Sequence, residues 1–284
     1  MTLPSAIAVS APARTRRRFQ PGLGAALTFA LCIAVLTLPL LAVVVTSVGL
    51  RWFGGRWLPE AWTLRWYQIA ADASNLPGLL ANSLVIAALC IAISMVIGTP
   101  AAWALARRKI QARRFLILML LIPRMIPPIA VGLGFSREFY LIGLVDSHFG
   151  IALAHSILVV PLDILVMTSA FEGLDERLLE AARVCGASTV QTFWYVIRPL
   201  VAPGMLVAVL FAFVTSLNEF TLTLLTYGPR TVTLTVQTYL EIDRGFKEIA
   251  SAISVFIIAP SLILLALVQR YIRPESIIGG VKGL

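Results

Sequence analysis

The stretch LDERLLEAARVCGASTVQTFWYVIRP, residues 174–199, organises this chain, because one long apolar run ends just before it and another begins just after it. Asp175 is placed to cap a short helix. Leu178, Ala182 and Cys185 recur at helical spacing as one face, with Arg177, Glu180 and Arg183 on another. Gly186 stands where a helix C-terminus needs a left-handed residue. Ser188 and Gln191 form an S-x-x-Q capping box for a second helix, which carries Phe193, Trp194 and Val196. Pro199 is expected to end or bend that helix, and Pro203 to open the next apolar segment at its first turn. The local product is helix, tight turn, helix.

Outward from this loop the chain is apolar in both directions. Of 284 residues 59% are hydrophobic and only 13% charged, with a mean hydropathy of +0.90. Ordinary soluble domains carry roughly 25% charged residues, so disorder and a soluble globular surface are both excluded. Six apolar segments stand out, approximately Leu23–Val48, Ser83–Ala106, Phe115–Phe135, Phe149–Phe171, Pro203–Thr226 and Ile249–Tyr271. Most are long enough to cross a hydrocarbon core of about 30 Å as a helix. They are apolar nearly all round, whereas a helix of a soluble bundle keeps a polar face. The fold class is an all-α integral membrane protein with six transmembrane helices. Residues 23–48 form the first span, read as an uncleaved anchor because the run is too long for a signal peptide. Residues 1–22 and 272–284 are tails, the first rich in Ala, Pro, Ser and Arg.

The net charge of +9 reflects orientation rather than nucleic-acid binding, because the basic residues cluster beside apolar runs. With the N-terminus inside, the inner segments hold Arg14, Arg16, Arg17, Arg18, the dense group Arg107, Arg108, Lys109, Arg113 and Arg114, then Arg177, Arg183, Arg198, Arg270, Arg273 and Lys282. The outer loops hold only Arg51, Arg56, Arg65, Arg137, Arg230, Arg244 and Lys247. This asymmetry puts both termini in the cytoplasm. Pro123, Pro127 and Pro128 are denser than the proline background of spanning helices and predict a broken third span lining a cavity.

No phosphate-binding GxxxxGK[ST] loop, GxSxG elbow or HExxH motif occurs. Cys32, Cys90 and Cys185 have no metal-ligand or disulfide spacing. His148 and His155 lack a carboxylate at ligand spacing and read as ordinary polar contacts. The chain is therefore expected to be no enzyme, with no metal site and no cofactor of its own. Four polar residues lie inside apolar runs: Arg124, Asp163, Asn218 and Glu219. A charge costs about 2.5–3.5 kcal/mol at mid-bilayer, so such residues face a partner or a cavity. Arg124 and Asp163 are candidates for a mutual pair, and Asn218 and Glu219 read as mid-span residues.

Glu180, Ala181, Ala182, Gly186, Val196 and Pro199, at this spacing on an inner loop, resemble the EAA loop of the membrane subunits of binding-protein-dependent ABC importers. Arg198 departs from the leucine frequent in that family before the proline. The resemblance implies a type I importer permease (MetI-like) core over residues 79–271, with the coupling loop at 174–199. It implies a second homologous permease subunit, two copies of a cytoplasmic ATPase that bind ATP and Mg, an extracytoplasmic solute-binding protein, and residence in a bacterial inner membrane. Ser216-Leu217-Asn218-Glu219-Phe220 and Gly228–Leu234 further resemble spermidine/putrescine importer permeases. That implies a polyamine solute, with Arg124, Asp163, Asn218, Glu219 and Phe220 as candidates for the translocation path. Ferric iron, thiosulfate or phosphonate-type solutes suit the same architecture, and Arg124 favours an anion. A homo-oligomeric channel would need a selectivity ring, for which no filter motif is visible.

Overall fold

The computed structural model describes residues 23–52, 57–108 and 110–271, so the two tails, Arg56 and Lys109 lie outside the described residues. The chain divides into two compact units, 1–42 and 43–284. The first contains most of α1 (Leu23–Val48), whose apolar side chains, Leu27, Phe29 and Leu36 among them, are exposed on every face. A helix that is hydrophobic all round is stable only where lipid or another apolar surface covers it.

The second unit opens with a two-residue ribbon, β1 (Gly49–Leu50) antiparallel to β2 (Ala61–Trp62), and a short surface helix, α2 (Arg65–Ala73). Trp66 Nε1 donates to the Gly49 carbonyl at 2.8 Å, which anchors α2 beneath the ribbon. α3 (Leu76–Arg107) is 32 residues long, about 48 Å at 1.5 Å per residue, and so overreaches the hydrocarbon core. α6 (His148–Glu172) runs parallel to it, with Asn82 beside His148 at one end and Arg107 beside Phe171 at the other. Small residues let the two helices approach closely. A Cβ at Gly98 would sit 2.2 Å from Asp163 Oδ2.

The chain returns between them as α4 (Arg113–Met125) and α5 (Pro128–Leu141), which meet at 87°. This is the predicted break of the third span. The turn falls at Ile126 and Pro127, where extended backbone is what a residue before proline and a proline itself prefer. After α6 come α7 (Glu176–Val184) and α8 (Thr189–Thr192). A π-turn at Phe193–Ile197 leads into α9 (Arg198–Asn218). Pro199 therefore does not end the second loop helix, and the fifth span starts at Thr189 rather than at Pro203, as one run over Thr189–Asn218. The Arg198 N–H bonds to the Phe193 carbonyl, five residues back. This widened turn falls directly before Pro199, which has no N–H to give, so the helix absorbs the proline instead of stopping.

The fifth span is also broken at its far end. α9 stops at Asn218 and α10 (Thr221–Thr226) follows, so Asn218 and Glu219 lie at a break rather than mid-helix. α11 (Leu234–Asp243) and α12 (Lys247–Tyr271) complete the fold. Among the described residues five helices have the length and apolarity to cross a membrane, and the bent α4–α5 pair makes a sixth. Near the loop end the core is Ala102, Ile164, Met167, Phe171, Ile197 and Val201, while Ile86, Cys90, Ile151, Val159 and Ala212 fill the middle.

Candidate functional site

The 174–199 loop has the build its sequence predicts. Asp175 accepts from the Arg177 N–H at 3.0 Å and caps α7. Gly186 has φ +79°, its N–H reaches the Arg183 carbonyl at 2.9 Å, and the Ala187 N–H reaches that of Ala182 at 3.0 Å. This is the paired Schellman closure, which requires a left-handed residue at Gly186. Ser188 and Gln191 bond reciprocally, main chain to side chain, at 2.8 and 3.2 Å. With both helix ends closed by local bonds, the turn between α7 and α8 is stiff.

One side of this unit is packed and the other open. Leu174 and Ile197 are buried and Leu179 packs beside them. The face of Leu178 and Cys185 is exposed, as are Val184 and Tyr195. Glu180 is exposed and has no ion-pair partner among the described residues, so Arg177 and Arg183 do not neutralise it. One arginine fastens the unit to α3, and another ties the end of α6 just before it to α4. Arg107 donates to the Phe171 and Leu174 carbonyls at 2.8 and 3.0 Å, satisfying the end of α6, and pairs with Glu176 at 3.3 Å. Arg113 pairs with Glu172. In the sequence these two were legible only as orientation charges. Their second role depends on α3 and α4 ending beside α6.

The intramembrane polar residues separate into three places. Arg124, in the last turn of α4, donates to the Leu158 carbonyl of α6 at 2.9 Å. It does not pair with Asp163. Asp163 is buried against α3 beside Ser94 and Gly98, and neither its carboxylate nor the Ser94 hydroxyl has a hydrogen-bond partner among the described residues. Asn218, Glu219 and Phe220 come together at the break of the fifth span. The Asn218 side chain is exposed and donates to the Val214 carbonyl at 2.7 Å. Glu219 Oε1 accepts the Leu222 N–H at 2.7 Å, capping α10 as a carboxylate caps a helix start. The Phe220 ring meets Tyr239 at 5.1 Å. A cavity of about 260 Å³ opens here, walled by Phe220, Thr235, Thr238, Tyr239, Ile242 and Ile257.

Sequence reasoning missed Tyr239, which has no motif around it, and the part played by His155, whose two ring nitrogens contact Ser216 and Thr223. It also missed Asp146, at the end away from the 174–199 loop. Asp146 holds φ +55° and receives the Arg230 N–H at 3.0 Å, the Arg230 Nε at 3.1 Å and the Thr231 hydroxyl at 2.9 Å. Burial pushes its carboxyl up, but the bonds from Thr231 and Arg230 and the Arg230 charge outweigh burial and hold it below the usual carboxylate range. Asn82 joins the same cluster, donating to the Arg230 and Val232 carbonyls and contacting His148 at 2.8 Å.

Known proteins share this fold. The chain is similar to a chain of a bacterial ABC transporter involved in the import of the acidic polysaccharide alginate, with TM-score 0.69 at 22% identity, covering 89% of this chain and 96% of that one. It is also similar to a chain of the MetNI methionine ABC transporter, with TM-score 0.57 at 17% identity over 72% of this chain and 96% of that one. By sequence it is 24% identical to the spermidine/putrescine transport system permease protein PotC of Escherichia coli, over 86% of this chain and 91% of that one. It is 29% identical to the sulfoquinovosyl glycerol transport system permease protein SmoH of Agrobacterium fabrum, over 80% and 81%. The putative ABC transporter permease protein ORF1 of Streptomyces antibioticus is 32% identical, over 71% and 89%. The model of the binding-protein-dependent transport system inner membrane component matches residues 94–277, and with the helix–turn–helix loop and the broken spans in place, the chain belongs to that family of ABC importer permeases.

Proposed function

We propose that this chain forms half of the translocation path of an ATP-driven polyamine importer, with both termini in the cytoplasm. The observation that carries the coupling role is the stiff α7–α8 unit, which presents an unpaired Glu180 and an open apolar face while its other side is bound into the bundle. Ala181 and Ala182 allow close approach of a partner, and Glu180 offers it a charge. Two copies of a cytoplasmic ATPase, which hold the ATP and Mg, dock there and on the same loop of a second, homologous permease. Closure of the ATPase pair then moves the bundle through the Arg107 fastening and the α6 end that Arg113 holds. Glu180→Lys is expected to leave the complex assembled and ATP hydrolysis running while uptake is lost. Normal uptake in that variant would overturn the coupling role.

A solute-binding protein delivers its cargo to the opposite end, where Asp146 and Arg230 lie. The solute passes Asn218, Glu219 and Phe220 at the break of the fifth span. The Glu219 carboxylate caps α10 at the break itself, and a carboxylate there suits a cation. Phe220 and Tyr239 add aromatic faces. Arg124 is turned to a main-chain carbonyl and Asp163 into the bundle, so neither dominates that break. The likeness to PotC points the same way, while SmoH and the diacetylchitobiose uptake permease DasC keep sugar-type solutes in the test. Uptake of labelled putrescine is compared in cells with and without the gene, with spermidine, a ferric chelate, an aminophosphonate and diacetylchitobiose as competitors. Loss of uptake on deletion, with competition by spermidine alone, is expected. Putrescine uptake unchanged by deletion would overturn the polyamine reading.

A further inference from the structure

His155 lies in α6, only 1% exposed, and its ring spans the break of the fifth span. Nδ1 is 2.9 Å from Ser216 Oγ in the last turn of α9, and Nε2 is 2.8 Å from Thr223 Oγ1 in α10. The two hydroxyls flank Asn218, Glu219 and Phe220. Donor accounting assigns the tautomer of a neutral ring. The Thr223 hydroxyl donates its one proton to the Glu219 carbonyl at 3.1 Å, which can only accept. Thr223 Oγ1 therefore accepts from His155 Nε2–H. Nδ1 of the neutral ring then accepts from the Ser216 hydroxyl. Donation runs in one direction, from Ser216 through His155 and Thr223 to the Glu219 carbonyl. That carbonyl also receives the Thr235 hydroxyl of α11 at 3.2 Å.

We propose that His155 is the positioning residue of the solute pathway. It locks the two halves of the fifth span at a fixed offset, so that the Glu219 carboxylate and the Phe220 ring are held for the passing solute. An unwound stretch of helix in lipid has main-chain groups that need partners; the Thr223 hydroxyl gives the Glu219 carbonyl one, and His155 holds that hydroxyl from a third helix without touching solute. The role rests on the reading that residues 218–220 meet the solute.

The test uses the complete transporter in lipid, with His155→Leu, Thr223→Val, the pair together, and His155→Gln. Thr226→Val serves as control, because that hydroxyl bonds the Leu222 carbonyl outside the chain of donation. Amide exchange across residues 219–224 is expected to quicken by about tenfold in His155→Leu and Thr223→Val, because local opening sets that rate. KM for labelled putrescine rises several-fold while abundance and unstimulated ATP hydrolysis hold. The paired variant is no worse than the worse single one, since both cut one chain of bonds. His155→Gln, which keeps an N–H donor, recovers part of the loss. Unchanged exchange at 219–224, additive effects, or a fall in uptake that tracks abundance at constant KM would each overturn the brace. If the unaltered transporter takes up no putrescine, the solute reading falls alone. The exchange pattern and its recovery in His155→Gln then still decide the brace.

Discussion

At Gly98 one missing carbon decides how closely α3 and α6 approach. A methyl group there would meet Asp163 Oδ2 at 2.2 Å, with Asp163 Cγ at 3.0 Å. Asp163 is 2% exposed, so its carboxylate has no outward path. Gly98→Leu is expected to force the pair apart at a cost of about 1–3 kcal/mol, as overpacking in cores does. The measurement is thermal unfolding of the purified complex. Gly134, where a Cβ would meet nothing within 4 Å, is the comparison site. Equal stability of Gly98→Leu and Gly134→Leu would contradict the close-packing account. The same residue scale explains Arg124. Its guanidinium is held against α6 because the Leu158 carbonyl takes one of its donors, although the residue is exposed.

At the scale of elements, stiffness comes from how helices end. The α7–α8 turn is closed by the Schellman pair at Gly186 and by the Ser188–Gln191 box. Any residue with a Cβ at Gly186, where φ is +79°, pays about 1–2 kcal/mol for the left-handed conformation. No neighbour crowds the position, since nothing lies within 4 Å of a Cβ built there. Gly186→Val is therefore expected to loosen the turn without unfolding the bundle. Uptake falls several-fold while ATP hydrolysis persists. Retained coupling in Gly186→Val would show that the stiff turn is not what transmits motion. The breaks at Ile126–Pro127 and at Glu219 work in the opposite sense, since each frees main-chain groups at membrane depth, and such groups require buried or watery surroundings.

At the scale of the molecule, contacts at the two ends join segments that are far apart in the chain. At one end Arg107 fastens the 174–199 loop to α3, and Arg113 ties the end of α6 just before it to α4. At the other, Asp146, Arg230, Thr231 and Asn82 clamp the turn before α6 to the segment before α11. The Asp146 carboxyl is held below its ordinary range, so its contribution is complete above the unfolded pKa of about 3.9. It is lost as pH falls through the lower folded value. Asp146→Ala is expected to lower the stability of the complex at pH 7 by about 1–2 kcal/mol, from the lost hydrogen bonds. The gap to the unaltered protein should close below about pH 4, where the unaltered carboxyl also begins to protonate. A constant gap from pH 7 to pH 3 would mean that the ionised carboxylate is not what holds the clamp.

The sequence by itself determined what is local. Apolar runs at spanning length, Asp175 and Ser188 as caps, Gly186 as a left-handed residue and the proline cluster before α5 all act through their own few neighbours, so reading them in order along the chain suffices. It expected Pro199 to end or bend the second loop helix, because a proline stops a helix unless the turn before it widens, as the turn at Phe193–Ile197 does. It left Asp163 and Arg124 as possible partners, because spacing along a chain says nothing about which faces of two helices meet. Only the tertiary structure decided that Arg124 turns to a carbonyl, that Asp163 lies against Gly98, and that His155 joins Ser216 and Thr223, 61 and 68 residues away. Those contacts are made by helices that lipid and core packing bring side by side, and non-local contact of that kind carries no local periodicity.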